Sequence, residues 1–187
     1  MSKPIIIISL CALFFTMGCK QESSDLNEDL QKPDIKSIKL LSKVRAVMKT
    51  VYGNIEFKFY PKEAPNTCIR IAQLIEKGFY DGLPFHRVIS NFVIQTGDPT
   101  NTGHGGSGYK LRPEFNSIQH VRGTIAMARA ESDPGSADSQ FYIALSTLAQ
   151  LDGKYTVFAQ VTSGEELLEK IKQGDKIISL VIEQDGN

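Results

Sequence analysis

The 187-residue chain has no excess charge of either sign: 21 lysines and arginines balance 21 aspartates and glutamates. That excludes the basic footprint of a nucleic-acid binder and gives no sign of a strongly charged substrate. A membrane-crossing helix needs roughly 20 apolar residues, and the run from Ile5 to Phe15 is too short for one. The three histidines, His86, His104 and His120, are scattered without paired-ligand spacing, so no metal site is expected. The cluster Gly103-His104-Gly105-Gly106-Ser107-Gly108 lacks the Lys-Ser/Thr pair of a phosphate loop, and Tyr109-Lys110-Leu111-Arg112-Pro113 follows it in place of a helix. Asp138-Ser139 comes with neither a nucleophile elbow nor an oxyanion motif.

What is present begins with a leader. Met1-Ser2-Lys3, the run Ile5 to Phe15 and the small-residue end at Gly18 have the form of a signal peptide over residues 1–18. Thr16-Met17-Gly18-Cys19 resembles the lipobox of bacterial lipoproteins, with Thr16 standing where that family usually has Leu. The resemblance implies lipidation of Cys19 and anchoring to a membrane of the bacterial cell envelope, periplasmic or surface-facing. Cleavage as an ordinary secreted protein and retention as a non-lipidated anchor are the alternatives. Cys11 would leave with the leader, so Cys68 would be the one free thiol, no internal disulfide could form, and the fold would rest on its core. Cys68 has no catalytic signature around it and reads as a small buried hydrophobe.

Residues 19–43 are polar and mixed in charge and read as a tether; as a flexible coil, about 22 residues span roughly 25 Å. Residues 44–187 make one domain. Its opening alternates: Ile55, Phe57 and Phe59 share one face and Glu56 and Lys58 the other, and Gly53-Asn54 marks a hairpin turn after the run that starts at Val44. Pro65 can start a helix carrying Cys68, Ile71, Ala72 and Ile75 at helical spacing up to Gly78. Ser163 and Glu166 form a capping box ahead of Leu167, Leu168 and Ile171, predicting a second helix that stops at Gly174. Further strands are expected over 92–96, 124–129, 140–145, 155–161 and 177–183, giving a closed or nearly closed antiparallel sheet with two covering helices.

The stretch Phe85 to Asp98 sets Arg87 and Gln95 among Val88, Ile89, Phe92 and Ile94, and polar groups in an apolar surface mark a candidate site. Phe85-His86-Arg87-Val88-Ile89 with Phe92, Gln95 and Gly97-Asp98 resembles the central signature of the cyclophilin peptidyl-prolyl isomerases. Gly123-Thr124-Ile125-Ala126-Met127-Ala128, Ser139-Gln140-Phe141-Tyr142-Ile143 and Leu151-Asp152-Gly153-Lys154-Tyr155-Thr156-Val157-Phe158 resemble its other segments in the same order. The resemblance runs from about Val47 to Glu183. It implies a mainly β fold, an eight-stranded antiparallel β-barrel capped by two α-helices, and a peptidyl-prolyl cis-trans isomerase acting on X-Pro bonds of exported proteins, without metal or cofactor and as a monomer.

Carried over residue by residue, the resemblance implies a catalytic set of Arg87, Phe92 and Gln95, with Phe85, Val93, Ala128, Gln140, Tyr142, Leu151 and Tyr155 binding substrate. The sequence departs from many relatives at Val93 (Met), Tyr142 (Phe) and Tyr155 (His), which keep an apolar or aromatic wall. At Gln150 many relatives have Trp, which puts binding of cyclosporin-class inhibitors in doubt. A different class of function is a cyclophilin-like module that holds proline-containing segments without turnover. Arg87, whose loss would mark a retired enzyme, argues against it.

Overall fold

The computed structural model of the protein describes residues 35–185, so the expected leader, Cys19 and most of the expected tether lie outside the described residues. The first helix, α1 (Ile35–Leu41), occupies the last part of the stretch expected to be a tether. Leu41 is buried in the main core, so this helix packs on the domain ahead of the expected start at residue 44.

β1 (Val44–Thr50) and β2 (Gly53–Phe59) form the expected antiparallel hairpin, and the alternating Ile55, Phe57 and Phe59 all enter the core. The turn falls earlier than Gly53-Asn54. Thr50 pairs with Gly53, so Val51 and Tyr52 make the loop. The Thr50 hydroxyl accepts from the Tyr52 amide at 3.1 Å and donates to the Gly53 carbonyl at 2.9 Å, closing the turn with a side chain.

α2 (Pro65–Glu76) starts at its proline and buries Cys68, Ile71, Ala72 and Ile75, as their spacing predicts. Ala64 at its N-cap has no side-chain oxygen to offer. Glu114, far along the chain, does that work: its carboxylate accepts from the Asn66 and Thr67 amides at 3.0 and 2.8 Å and from their side chains at 2.9 and 2.7 Å. A negative charge at the positive end of a helix satisfies donors that otherwise have no intrahelical partner. The Cys68 Sγ donates to the Phe158 carbonyl at 3.4 Å, and burial pushes its thiol well above the ordinary value, in keeping with the inert role read from its surroundings.

Six more strands complete one antiparallel sheet: β3 (Arg87–Ile89), β4 (Val93–Thr96), β5 (Thr124–Met127), β6 (Phe141–Ala144), β7 (Val157–Ser163) and β8 (Ser179–Gln184). Their order is β3-β4-β6-β5-β7-β2-β1-β8. The outer strands β3 and β8 are tied through the segments leading into them. The amides of Gly82 and Phe85 donate to the carbonyls of Ile177 and Asp175, and those of Gly174 and Ile177 donate back to Phe85 and Leu83. Backbone bonding therefore continues across the seam, and the sheet curls toward a barrel, which limits its exposed edge.

The second expected α-helix is a 3-10 helix over Glu165–Lys170. Ser163 cannot cap it, because it is still in β7, paired with Glu56. Gly164 then turns the chain at φ 77°, where a Cβ would strike the Asn54 carbonyl. Leu168 and Ile171 nevertheless reach the core, so the apolar spacing survives in a tighter helix.

Strand alternation divides the buried residues of β4, β5 and β6 between two clusters. Ile94, Ile125, Met127, Phe141 and Ile143 join the large interior core, while Val93, Ala126, Tyr142 and Ala144 face the other way, into a smaller cluster with Leu148 and Val157. The smaller cluster floors the site.

Candidate active site

Strand register brings four residues into a row. Arg87 on β3 pairs with Gln95 on β4, Gln95 with Tyr142 on β6, and Tyr142 with Ala126 on β5. Directly opposite residues share a face of a sheet, so chain segments up to 55 positions apart present side chains to one surface through backbone pairing alone. Phe92 comes from the turn between β3 and β4, where Asn91 takes φ 57°. Its ring lies beneath the Arg87 guanidinium, whose Cζ is 5.6 Å from the ring centre.

A cavity of about 160 Å³ opens at this row, lined by Arg87, Phe92, Val93, Gln95, Ala128, Arg129, Tyr142, Leu151 and Tyr155. Phe92, Val93, Ala128, Tyr142, Leu151 and Tyr155 give it apolar and aromatic walls, Gln95 and Arg129 add polar ones, and the exposed Arg87 completes the lining. Arg87 Nη1 donates to Gln95 Oε1 at 3.2 Å, Gln95 Nε2 donates to Gln140 Oε1 at 2.9 Å, and Gln140 Nε2 donates to the Gly103 and Gly105 carbonyls at 3.1 and 2.8 Å. Each amide is thereby fixed in orientation by its partners. Gln95 takes one of the five N–H donors a guanidinium carries.

The loop that receives Gln140 is held in turn by Asp98. The Asp98 carboxylate accepts from the amides of Thr100, Thr102 and Gly103 and from the Thr100 hydroxyl. Burial opposes its ionisation, but these bonds prevail and hold the carboxyl well below the usual range. A continuous set of contacts thus runs from a buried carboxylate through a loop and two amides to the guanidinium.

Of the residues expected from the sequence, Arg87, Phe92, Val93, Gln95, Ala128, Tyr142, Leu151 and Tyr155 all line the cavity. Gln140 lines an adjoining cavity of about 380 Å³ and reaches this one only through Gln95. Phe85 does not belong to the site: it is fully buried in the interior core, with its amide bonded to the Asp175 carbonyl. β3 begins only at Arg87, so strand parity does not extend back to residue 85.

Arg129 is a lining residue that sequence reasoning passed over. Its guanidinium covers the Tyr155 ring at 4.6 Å and donates from Nε and Nη2 to the Lys154 carbonyl at 3.1 and 3.0 Å. His120 and Asp152 were also passed over. His120 is fully buried, with Nδ1 2.9 Å from Asp152 Oδ1 and Nε2 2.9 Å from the Tyr142 hydroxyl. The signal for them was Tyr142 itself, whose buried hydroxyl needs a partner that a phenylalanine would not.

Residues 45–184 match the family model described as cyclophilin type peptidyl-prolyl cis-trans isomerase/CLD. A peptidyl-prolyl cis-trans isomerase of Helicobacter pylori is 45% identical over 152 residues, covering 79% of this chain and 92% of that protein. Peptidyl-prolyl cis-trans isomerase B of Bacillus subtilis is 44% identical over 144 residues, covering 73% of this chain and 99% of that protein. Among solved structures, a cyclophilin type peptidyl-prolyl cis-trans isomerase of Cryptosporidium parvum matches with a TM-score of 0.72 and 29% identity, covering 77% of this chain and 99% of that one. The same enzyme in the presence of the dipeptide Ala-Pro matches with a TM-score of 0.67 and 31% identity, covering 76% of this chain and 99% of that one. With the sheet order, the row headed by Arg87 and relatives of this closeness in hand, the chain belongs to the cyclophilin-type peptidyl-prolyl cis-trans isomerases and is an enzyme of that activity.

Proposed function

We propose that the cavity beneath Arg87 holds the proline ring of an X-Pro segment, that Arg87 lowers the barrier to rotation, and that the enzyme works as a monomer at the bacterial envelope, anchored through lipid on Cys19. The observation that carries the catalytic part is Arg87 held by Phe92 and Gln95 beside the aromatic and apolar side chains of the cavity. Rotation about a peptide bond disrupts amide resonance and meets a barrier of about 18 to 20 kcal/mol. As the bond twists, the proline nitrogen becomes pyramidal and gains a lone pair. A guanidinium aimed at that nitrogen stabilises the twisted state more than the planar one, which is the condition for acceleration.

The other residues hold the substrate. Phe92, Val93, Tyr142, Leu151 and Tyr155 surround the ring, and Gln95 and the backbone near Ala128 grip the adjoining peptide, so that binding is converted into orientation. Gln140 acts through Gln95. The dipeptide Ala-Pro supplied to the Cryptosporidium parvum enzyme supports a proline-containing ligand for this fold. Arg87→Lys tests what the side chain must provide. A flexible ammonium keeps the charge but not the planar fork, so kcat/KM should stay roughly 10-fold below that of the unaltered chain; full activity would mean that charge alone suffices.

The location rests on the leader and on Thr16-Met17-Gly18-Cys19. Exported proteins are then the substrates. Attachment by more than one acyl chain makes the anchor firm, since a single chain binds only marginally. Mass spectrometry of the native N-terminus is expected to find an acylated Cys19 in the membrane fraction. An unmodified Cys19 or an intact Met1 would overturn this.

A further inference from the structure

We propose that His120 is a positioning residue for the proline pocket, setting the Tyr142 wall through the tyrosine's hydroxyl with its own ring fixed by Asp152. The inference rests on the reading that the cavity lined by Tyr142 receives the proline ring.

His120 lies in the segment before β5, 22 residues from Tyr142 and 32 from Asp152, and the fold brings all three into one line beneath the cavity. Two backbone bonds fix the histidine against the 148–152 loop. Its carbonyl accepts from the Leu148 amide at 2.8 Å, and its amide donates to Asp152 Oδ1 at 2.7 Å. The same carboxylate oxygen is 2.9 Å from the ring Nδ1. A carboxylate can only accept, so the proton of a neutral imidazole sits on Nδ1, and Nε2 presents its lone pair to Tyr142. In that form the tyrosine hydroxyl donates to His120, and His120 donates to Asp152.

The ends of the line keep these roles across the working pH range. Burial pushes the Tyr142 phenol far above its ordinary value, so it stays a donor. The bonds from the His120 amide and ring hold the Asp152 carboxyl below its ordinary value, so it stays an acceptor. A polar line whose histidine and tyrosine are buried and whose every member is satisfied is rigid, and deleting a partner of the histidine leaves one of its buried ring nitrogens unpaired. Tyr142 is the member that reaches the site: its ring stands edge-on to Tyr155 at 5.8 Å and lines the cavity.

This predicts a kinetic signature unlike that of Arg87. A wall that holds the ring contacts the planar and twisted substrate alike, so misplacing it weakens both, raising KM and leaving kcat nearly unchanged. With the full chain and an X-Pro peptide, His120→Leu is expected to raise KM roughly 5- to 20-fold with kcat within about 3-fold. Asp152→Ala, at a partly exposed side chain, should move KM the same way by a smaller factor. In a Tyr142→Phe background, which has no hydroxyl to position, His120→Leu should change KM less than about 2-fold.

Equal effects of His120→Leu in both backgrounds would assign the histidine a merely structural role and overturn the inference, as would unchanged KM in both His120→Leu and Asp152→Ala. Independently of any variant's folding, nitrogen-15 spectra of the unaltered chain should show His120 as the Nδ1–H tautomer. An Nε2–H tautomer would overturn the donor order. Tyr142→Ala with unchanged KM would instead defeat the reading of the cavity as the proline pocket, and this inference with it.

Discussion

Replacing Arg87 with alanine is expected to lower kcat/KM roughly 100- to 1000-fold while shifting the thermal transition by no more than about 4 °C. Uncatalysed proline isomerisation relaxes in tens of seconds, a rate of about 0.01 to 0.1 per second. Raising it to about 10 to 1000 per second requires lowering the barrier by about 3 to 7 kcal/mol. A single aimed donor removed from an oxyanion hole costs about 3 to 4 kcal/mol, the largest share any one group here can supply. The guanidinium is exposed in the free protein, and on the proposed reading a bound peptide would cover the cavity and strengthen its field at the proline nitrogen. Stability should change little for the same reason: Arg87 makes one exposed hydrogen bond to Gln95 and lies over one ring, contacts of the kind that contribute below about 1 kcal/mol. Steady-state kinetics and a thermal melt on the same preparation check both halves. Near-normal activity in a folded Arg87→Ala chain would remove Arg87 from the reaction.

Gly97→Ala is expected to damage stability most and activity as a consequence. Gly97 follows β4 with φ 90°, a conformation that costs an alanine of order 1 to 3 kcal/mol. An added Cβ would strike the Ser139 carbonyl oxygen and lie 2.9 Å from Gln140 Cα. Those neighbours are pinned. The Ser139 hydroxyl donates to the Gly97 carbonyl at 2.8 Å, and the buried Tyr80 hydroxyl donates to the Ser139 carbonyl at 3.0 Å. Overpacking against a fixed backbone adds about 1 to 3 kcal/mol. Together these amount to a loss of about 2 to 6 kcal/mol and a fall in Tm of roughly 5 to 20 °C for a domain of this size. Because Gln140 must move, the line through Gln95 to Arg87 shifts with it, and kcat/KM should fall about 10-fold even below the new Tm. A melt within about 2 °C of the unaltered chain would show that this backbone yields.

How far the fold could be read from the sequence depended on whether the deciding contacts were local. The alternation of Ile55, Phe57 and Phe59 and the spacing of Cys68, Ile71, Ala72 and Ile75 are local patterns, and the elements follow them. The capping box at Ser163 and Glu166 is equally local, yet it loses to a distant partner, since Glu56 keeps Ser163 in its strand and the Asn54 carbonyl leaves room only for a glycine at 164. Helix α2 likewise depends on Glu114, a cap 47 and 48 residues away that no window around Pro65 contains.

The site divides the same way. Arg87, Phe92 and Gln95 lie within one short β-prone stretch and could be seen as polar groups among apolar ones. The opposite fates of Phe85 and Arg87 could not, because the strand that sets the facing of Arg87 begins at Arg87 and leaves Phe85 outside it. His120 and Asp152 were invisible for a simpler reason: their link to Tyr142 exists only after β5 and β6 have paired.

The claim that this cavity isomerises X-Pro bonds through Arg87 is tested most directly by exchange spectroscopy on an Ala-Pro peptide with substoichiometric full chain. The unaltered chain is expected to give cis–trans exchange peaks at rates of at least about 10 per second, against the background of about 0.01 to 0.1. With Arg87→Ala the peptide should still shift the resonances of Phe92, Tyr142 and Tyr155, showing that it binds, while the exchange peaks vanish. Exchange peaks that persist with Arg87→Ala, or an unaltered chain that binds the peptide without exchanging it, would contradict the claim.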